Sequence, residues 1–111
     1  MTKKIYNKLI RDKIPEIIRK TGKNCTSHIA DDAEFEKALV IKLKEEFSEL
    51  LEARAREDII NEAADVMEIL EAFLIHKGIE IETLTKKKEI KKEERGGFEK
   101  RIILEEVSGT E

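Results

Sequence analysis

Lys44-Glu45-Glu46-Phe47-Ser48-Glu49-Leu50 and, with twelve residues between Glu49 and Glu62, Glu62-Ala63-Ala64-Asp65 are the two runs on which the reading of the fold turns. Each lies within an apolar pattern of helical period. At about 100° per residue, Phe35, Leu39, Leu43, Phe47 and Leu50 form one stripe, and Ile59, Ala63, Val66, Leu70 and Phe73 form another. Glu46 falls inside the first stripe and Glu62 inside the second. Glu49 and Asp65 stand at the stripe edges, whereas Glu45, Glu68 and Glu71 point away.

Working outward, Asp31 or Asp32 is a good N-cap for a helix reaching about residue 54, and a second helix is expected from about residue 58 to 77, stopped by Gly78. The short link Ala55-Arg56-Glu57 makes the two helices antiparallel neighbours. Glu46 and Glu49 then lie about as far before the turn as Glu62 and Asp65 lie after it, so all four carboxylates reach a similar height. Within each helix the i, i+3 spacing brings the two side chains to roughly 5–6 Å at Cβ. Four like charges at a half-buried position repel one another, and a divalent cation relieves that repulsion. With no Cys or His at matching spacing, the ligation is all-oxygen, which suits Mg²⁺, or Mn²⁺, and through it phosphoryl chemistry. The competing account is a Glu-rich helix whose carboxylates reach the core edge by chance and are rescued by Lys or Arg.

Toward the N-terminus, Lys13-Ile14-Pro15-Glu16 opens a short helix ended by Gly22. A third helix, basic in its middle, spans about residues 82–95 and ends at Gly96-Gly97. Residues 24–30 have weak β character and residues 101–107 stronger β character, so the two can pair as a small ribbon. The expected class is mainly α: an antiparallel helical hairpin, a basic third helix and that ribbon. Residues 1–111 are read as a single domain.

Composition narrows the function. Charged residues make up 42% of the chain, and the net charge is −3, which argues against binding to a nucleic-acid backbone. Cys25 is the sole cysteine, so no intrachain disulfide framework exists. No run is long and apolar enough to span a membrane, and residues 1–10 lack the apolar core of a secretory leader; a soluble, cytoplasmic protein is expected. His28, in the β-like segment, and His76, in the last turn of a helix, are not read as ligands. Ile41, Ile60, Ala64, Met67 and Ile75 fall at or outside the stripe margins, which leads us to expect a homodimer or higher homo-oligomer.

The pattern Glu45-Glu46-Phe47-Ser48-Glu49, then Glu62-Ala63-Ala64-Asp65, resembles the EExxE…ExxD signature of the MazG-like all-α nucleotide pyrophosphohydrolases. Tyr6-Asn7-Lys8-Leu9-Ile10-Arg11-Asp12-Lys13-Ile14-Pro15 and Lys92-Glu93-Glu94-Arg95-Gly96-Gly97-Phe98 are similar to a small-protein branch labelled phosphoribosyl-ATP pyrophosphohydrolase-like. The resemblance implies an all-α NTP pyrophosphatase-like bundle in which Glu46, Glu49, Glu62 and Asp65 ligate Mg²⁺. Glu45 would be a neighbouring or water-orienting group beside Glu46. It further implies cleavage between the α- and β-phosphates of a nucleoside triphosphate, as in nucleotide-pool cleaning, or the same chemistry on phosphoribosyl-ATP in histidine biosynthesis. Such a polyanion needs fixed cations, and Arg11, Lys13, Lys87, Lys88, Lys91 and Arg95 are the candidates. The lysine run reads equally as a solvated helix face. A non-catalytic helical interaction module is the reading from another class.

Overall fold

In the computed structural model, which describes residues 2–109, the chain forms four helices, and no strand occurs among the described residues. α1 spans Ile14–Lys20, α2 Asp32–Glu52, α3 Arg56–His76 and α4 Ile81–Arg95. The chain falls into two compact units, Met1–Gly78 and Ile79–Glu111. None of the helices is long and apolar enough to cross a membrane.

In the first unit, Pro15 occupies the first turn of α1, where its missing N–H costs nothing. Gly22 follows with φ +86°, a left-handed conformation open to glycine without a Cβ clash. The side chain of Asp31 caps α2 by accepting from the Glu34 amide at 2.9 Å. The connection to α3 is Ala53-Arg54-Ala55, two residues earlier than the sequence suggests. This register brings Glu57 and Asp58 into the first turn of α3, where their charge meets the positive end of the helix dipole.

α2 packs along α3. Leu39, wholly buried, with Val66 and Ile69 forms the centre of the core, while Phe35, Leu43, Leu50, Leu70 and Phe73 are half-buried around it. The drawn stripes are therefore displaced. Phe47 and Ile59 remain 45% and 41% exposed, and Ile69, outside the stripe, is buried in their place. At the far end of the hairpin Glu36 accepts from Lys77 Nζ at 2.7 Å and lies 3.4 Å from His76 Nε2, and the His76 ring stands edge-on to Phe35 at 5.1 Å. These contacts fix the end of α3 against the start of α2. The lysine lowers the pKa of Glu36, through its hydrogen bond first and its charge second.

The expected ribbon does not form. Residues 24–30 and 101–107 lie in different units and carry no strand, with Ile29 and residues Ile102, Ile103 and Leu104 exposed. A two-stranded ribbon with no covered apolar face is marginal in water, and β propensity alone does not supply that cover. In the second unit α4 buries no residue and ends at Gly96, φ +83°. It begins at Ile81, one residue earlier than expected.

Candidate metal centre

Because Glu46 and Glu49 are one turn apart on α2 and Glu62 comes from the facing turn of α3, the hairpin brings the three together. One oxygen from each lies within 4.8 Å of the others. Glu46 is only 6% exposed, Glu62 is half-buried and Glu49 is exposed. Glu46 Oε2 and Glu62 Oε2 are buried and have no hydrogen-bond partner in the protein. Such orphaned carboxylate oxygens are costly unless something charged sits against them. The three glutamates thus fit a hard divalent cation, supplying oxygen ligands from a rigid pair of helices with one side left open to solvent.

The electrostatics are consistent with that fit. Burial raises the pKa of Glu46, the charges of Glu49 and Asp65 push in the same direction, and the hydrogen bond and charge of Lys42 oppose them. Lys42 Nζ lies 3.3 Å from Glu46 Oε1. It neutralises one side of the carboxylate and leaves the other unsatisfied. Lys42 was absent from the sequence-derived site, although its position one turn before Glu46 was a readable signal.

Asp65 is not in the three-oxygen cluster. Its Oδ1 instead accepts from Arg11 Nη2 at 2.7 Å, across 54 residues of sequence. Glu45 also stands apart, half-buried and 3.8 Å from Lys8 Nζ, beside a shallow hollow of about 180 Å³ that Ile41 and Asn7 also line. Next to the cluster, an open cleft of about 760 Å³ runs between α2–α3 and the segment preceding and entering α1. Both signs of charge line it, Asp12, Glu46, Asp65 and Glu68 with Lys8, Arg11, Lys13 and Lys42, and Leu39, Ile69, Ile10 and Ile14 give it apolar surface. That size and mixture match small-molecule sites generally. Glu68, read from the sequence as facing away, is a member of this lining. Lys87, Lys88, Lys91 and Arg95 are exposed on α4, in the second unit. Neither histidine joins the acidic cluster: His28 pairs with Glu34 at 2.9 Å and His76 with Glu36. Cys25 is half-buried against the Pro15 carbonyl, with Sγ at 3.8 Å.

A helical hairpin that gathers three glutamates, one of them lining a charged cleft, is an arrangement able to hold a divalent cation. Residues 4–92 match the phosphoribosyl-ATP pyrophosphohydrolase family, and the chain belongs to it. This is a family of hydrolases acting on phosphoric anhydride bonds. The chain is also similar to a histidine biosynthesis trifunctional protein of Candida albicans, 36% identical over 66 residues. That match covers 60% of this chain but 8% of the Candida protein, so the chain corresponds to only a small part of that relative's length. No solved structure matches the chain.

Proposed function

We propose that the chain is an Mg²⁺-dependent nucleoside triphosphate pyrophosphohydrolase that converts a triphosphate and water to a nucleoside monophosphate and pyrophosphate. The observation that carries this reading is the pair of buried, unpartnered oxygens on Glu46 and Glu62 within a three-carboxylate cluster beside the cleft. Mn²⁺ would serve in place of Mg²⁺, since both take oxygen ligands.

Glu46, Glu49 and Glu62 are proposed as ligands, with Asp65 as the fourth. The bound cation would draw charge from the phosphate oxygens and lower the barrier to attack. Glu46 holds the site's most buried carboxylate, and Glu45 or Glu46 is proposed to orient the attacking water and take its proton. The water oxygen bonds to the α-phosphorus as the bond from that phosphorus to the bridging oxygen breaks, and pyrophosphate leaves with the bridging oxygen. Lys13 and Arg11 in the cleft are proposed phosphate contacts, as are Lys87, Lys88, Lys91 and Arg95 of α4. The apolar part of the cleft suits the nucleoside.

The family description and the name of the Candida relative favour a second substrate, phosphoribosyl-ATP, hydrolysed by the same chemistry. A panel of nucleoside triphosphates together with phosphoribosyl-ATP, assayed for pyrophosphate release with and without Mg²⁺, separates the two. Failure of every substrate, with no rise in melting temperature on adding Mg²⁺, would leave a non-catalytic helical module.

A homodimer in the cytoplasm is the proposed state, with no nucleic-acid or membrane partner. Its support is a second apolar face on the hairpin. Val40, Phe47 and Leu51 of α2 and Ile60 and Met67 of α3 project roughly opposite to Glu49 and Asp65 at about 100° per residue. Leu51 is 84% exposed and Met67 62%. A matching hairpin from a second copy would cover them as a four-helix bundle.

A further inference from the structure

The Arg11–Asp65 pair stands at the junction of the acidic cluster and the cleft. Asp65 follows Glu62 by one turn of α3, a spacing that aims both carboxylates along one side of the helix. Three glutamates gather there, yet Asp65 is turned to the guanidinium of Arg11 at 2.7 Å and is left out of the cluster. Arg11 sits on the segment that walls the cleft, which is otherwise tied to α2 by the longer Lys8–Glu45 contact at 3.8 Å. The Arg11 side chain is 57% exposed, so the bond holding Asp65 is screened by water and inexpensive to exchange.

We propose that Arg11 and a divalent cation compete for Asp65, so that metal loading transfers the Arg11 guanidinium from the carboxylate to the phosphates of the substrate. This rests on the metal-centre reading given above. Arg11 engages Oδ1 alone, but a dication on the same carboxylate repels the guanidinium held 2.7 Å from it and weakens that bond. The displaced guanidinium remains on the cleft wall with Lys13, and its planar fork suits two oxygens of one phosphate better than an ammonium does. Arg11 is thus a placeholder cation, which neutralises Asp65 until the metal arrives and recognises a polyphosphate afterwards.

The test is metal affinity in the full chain, read by Mn²⁺ paramagnetic resonance titration. Arg11→Gln is expected to bind Mn²⁺ about two- to fivefold tighter than wild type, the scale of an exposed ion pair. Lys13→Gln removes the same charge from the same segment but no bond to Asp65, and is expected to change affinity less. A second readout follows the Arg11 Nε–H resonance. Saturating Mg²⁺ should move it to the position it holds in Asp65→Asn without metal. Equal or weaker Mn²⁺ binding by Arg11→Gln, or an unmoved resonance while Mg²⁺ binds, would overturn the competition and leave the metal centre standing. Absence of Mn²⁺ binding by the wild type would overturn both.

Discussion

Lys42 holds its ammonium 3.3 Å from Oε1 of Glu46, one helical turn away, while Oε2 of the same carboxylate is buried without a partner. The ion pair engages only one of the two carboxylate oxygens. The buried glutamate is therefore a group whose ionisation works against the fold until a second cation reaches Oε2.

The pH dependence follows. The folded pKa of Glu46 lies above the ordinary glutamate value, mainly through burial, so across that interval the folded chain binds the proton more tightly than the unfolded one. In EDTA, the contribution of Glu46 to stability falls as pH rises from the ordinary value through the raised one, then levels off. Melting curves of wild type and Glu46→Gln across this range should diverge, with the Gln variant the more stable at neutral pH. Added Mg²⁺ at about 100 times its dissociation constant should stabilise the wild type by about 2.7 kcal/mol and the variant by less. Parallel curves at every pH would remove Glu46 from the charged core.

Glu49 and Glu62 should behave differently from Glu45. Glu49→Gln or Glu62→Gln is expected to weaken Mn²⁺ binding about tenfold or more and to abolish turnover with helicity retained. Glu45 stands beside Lys8 rather than in the cluster, so Glu45→Gln should leave metal affinity nearly unchanged; if Glu45 rather than Glu46 is the proposed base, kcat should fall about 100-fold. Calorimetric titration beside steady-state kinetics makes the separation; a loss of affinity in Glu45→Gln equal to that of Glu49→Gln would make Glu45 a ligand.

In the core, Leu39→Ala should cost about 3–5 kcal/mol, the upper part of the range for a truncated leucine, since that side chain is wholly buried. Ile59→Ala, at a position 41% exposed, should cost clearly less. Urea denaturation followed by circular dichroism measures both. Equal losses at the two positions would mean that Ile59 is covered in solution.

The exposed apolar face makes an assembly prediction. Met67→Glu should convert a dimer to a monomer in analytical ultracentrifugation and leave the Mn²⁺ site of the first unit in place. A wild-type chain that sediments as a monomer at about 100 μM would overturn the four-helix arrangement.

Helical period, the Asp31 cap and the terminating glycines Gly22, Gly78 and Gly96 were enough to find all four helices, because each is a local property of a few residues. Glu46, Glu49 and Glu62 were legible for the same reason: spacing within a helix is fixed by its pitch, and a three-residue link leaves two helices little choice but to lie side by side. The ribbon was misread because β propensity describes a strand only where a neighbour covers it. Ile69 was missed because an apolar stripe drawn on one helix does not know how far that helix is rotated against its partner.

What the sequence by itself determined, then, is the hairpin and the meeting of three glutamates, both consequences of short-range geometry. The tertiary structure alone decided that Asp65 turns to Arg11, that Lys42 pairs with one oxygen of Glu46 and that residues 8–14 with Ile17 line a cleft with α2 and α3. Such pairings depend on which distant surfaces touch after packing. No periodicity encodes an ion pair across 54 residues.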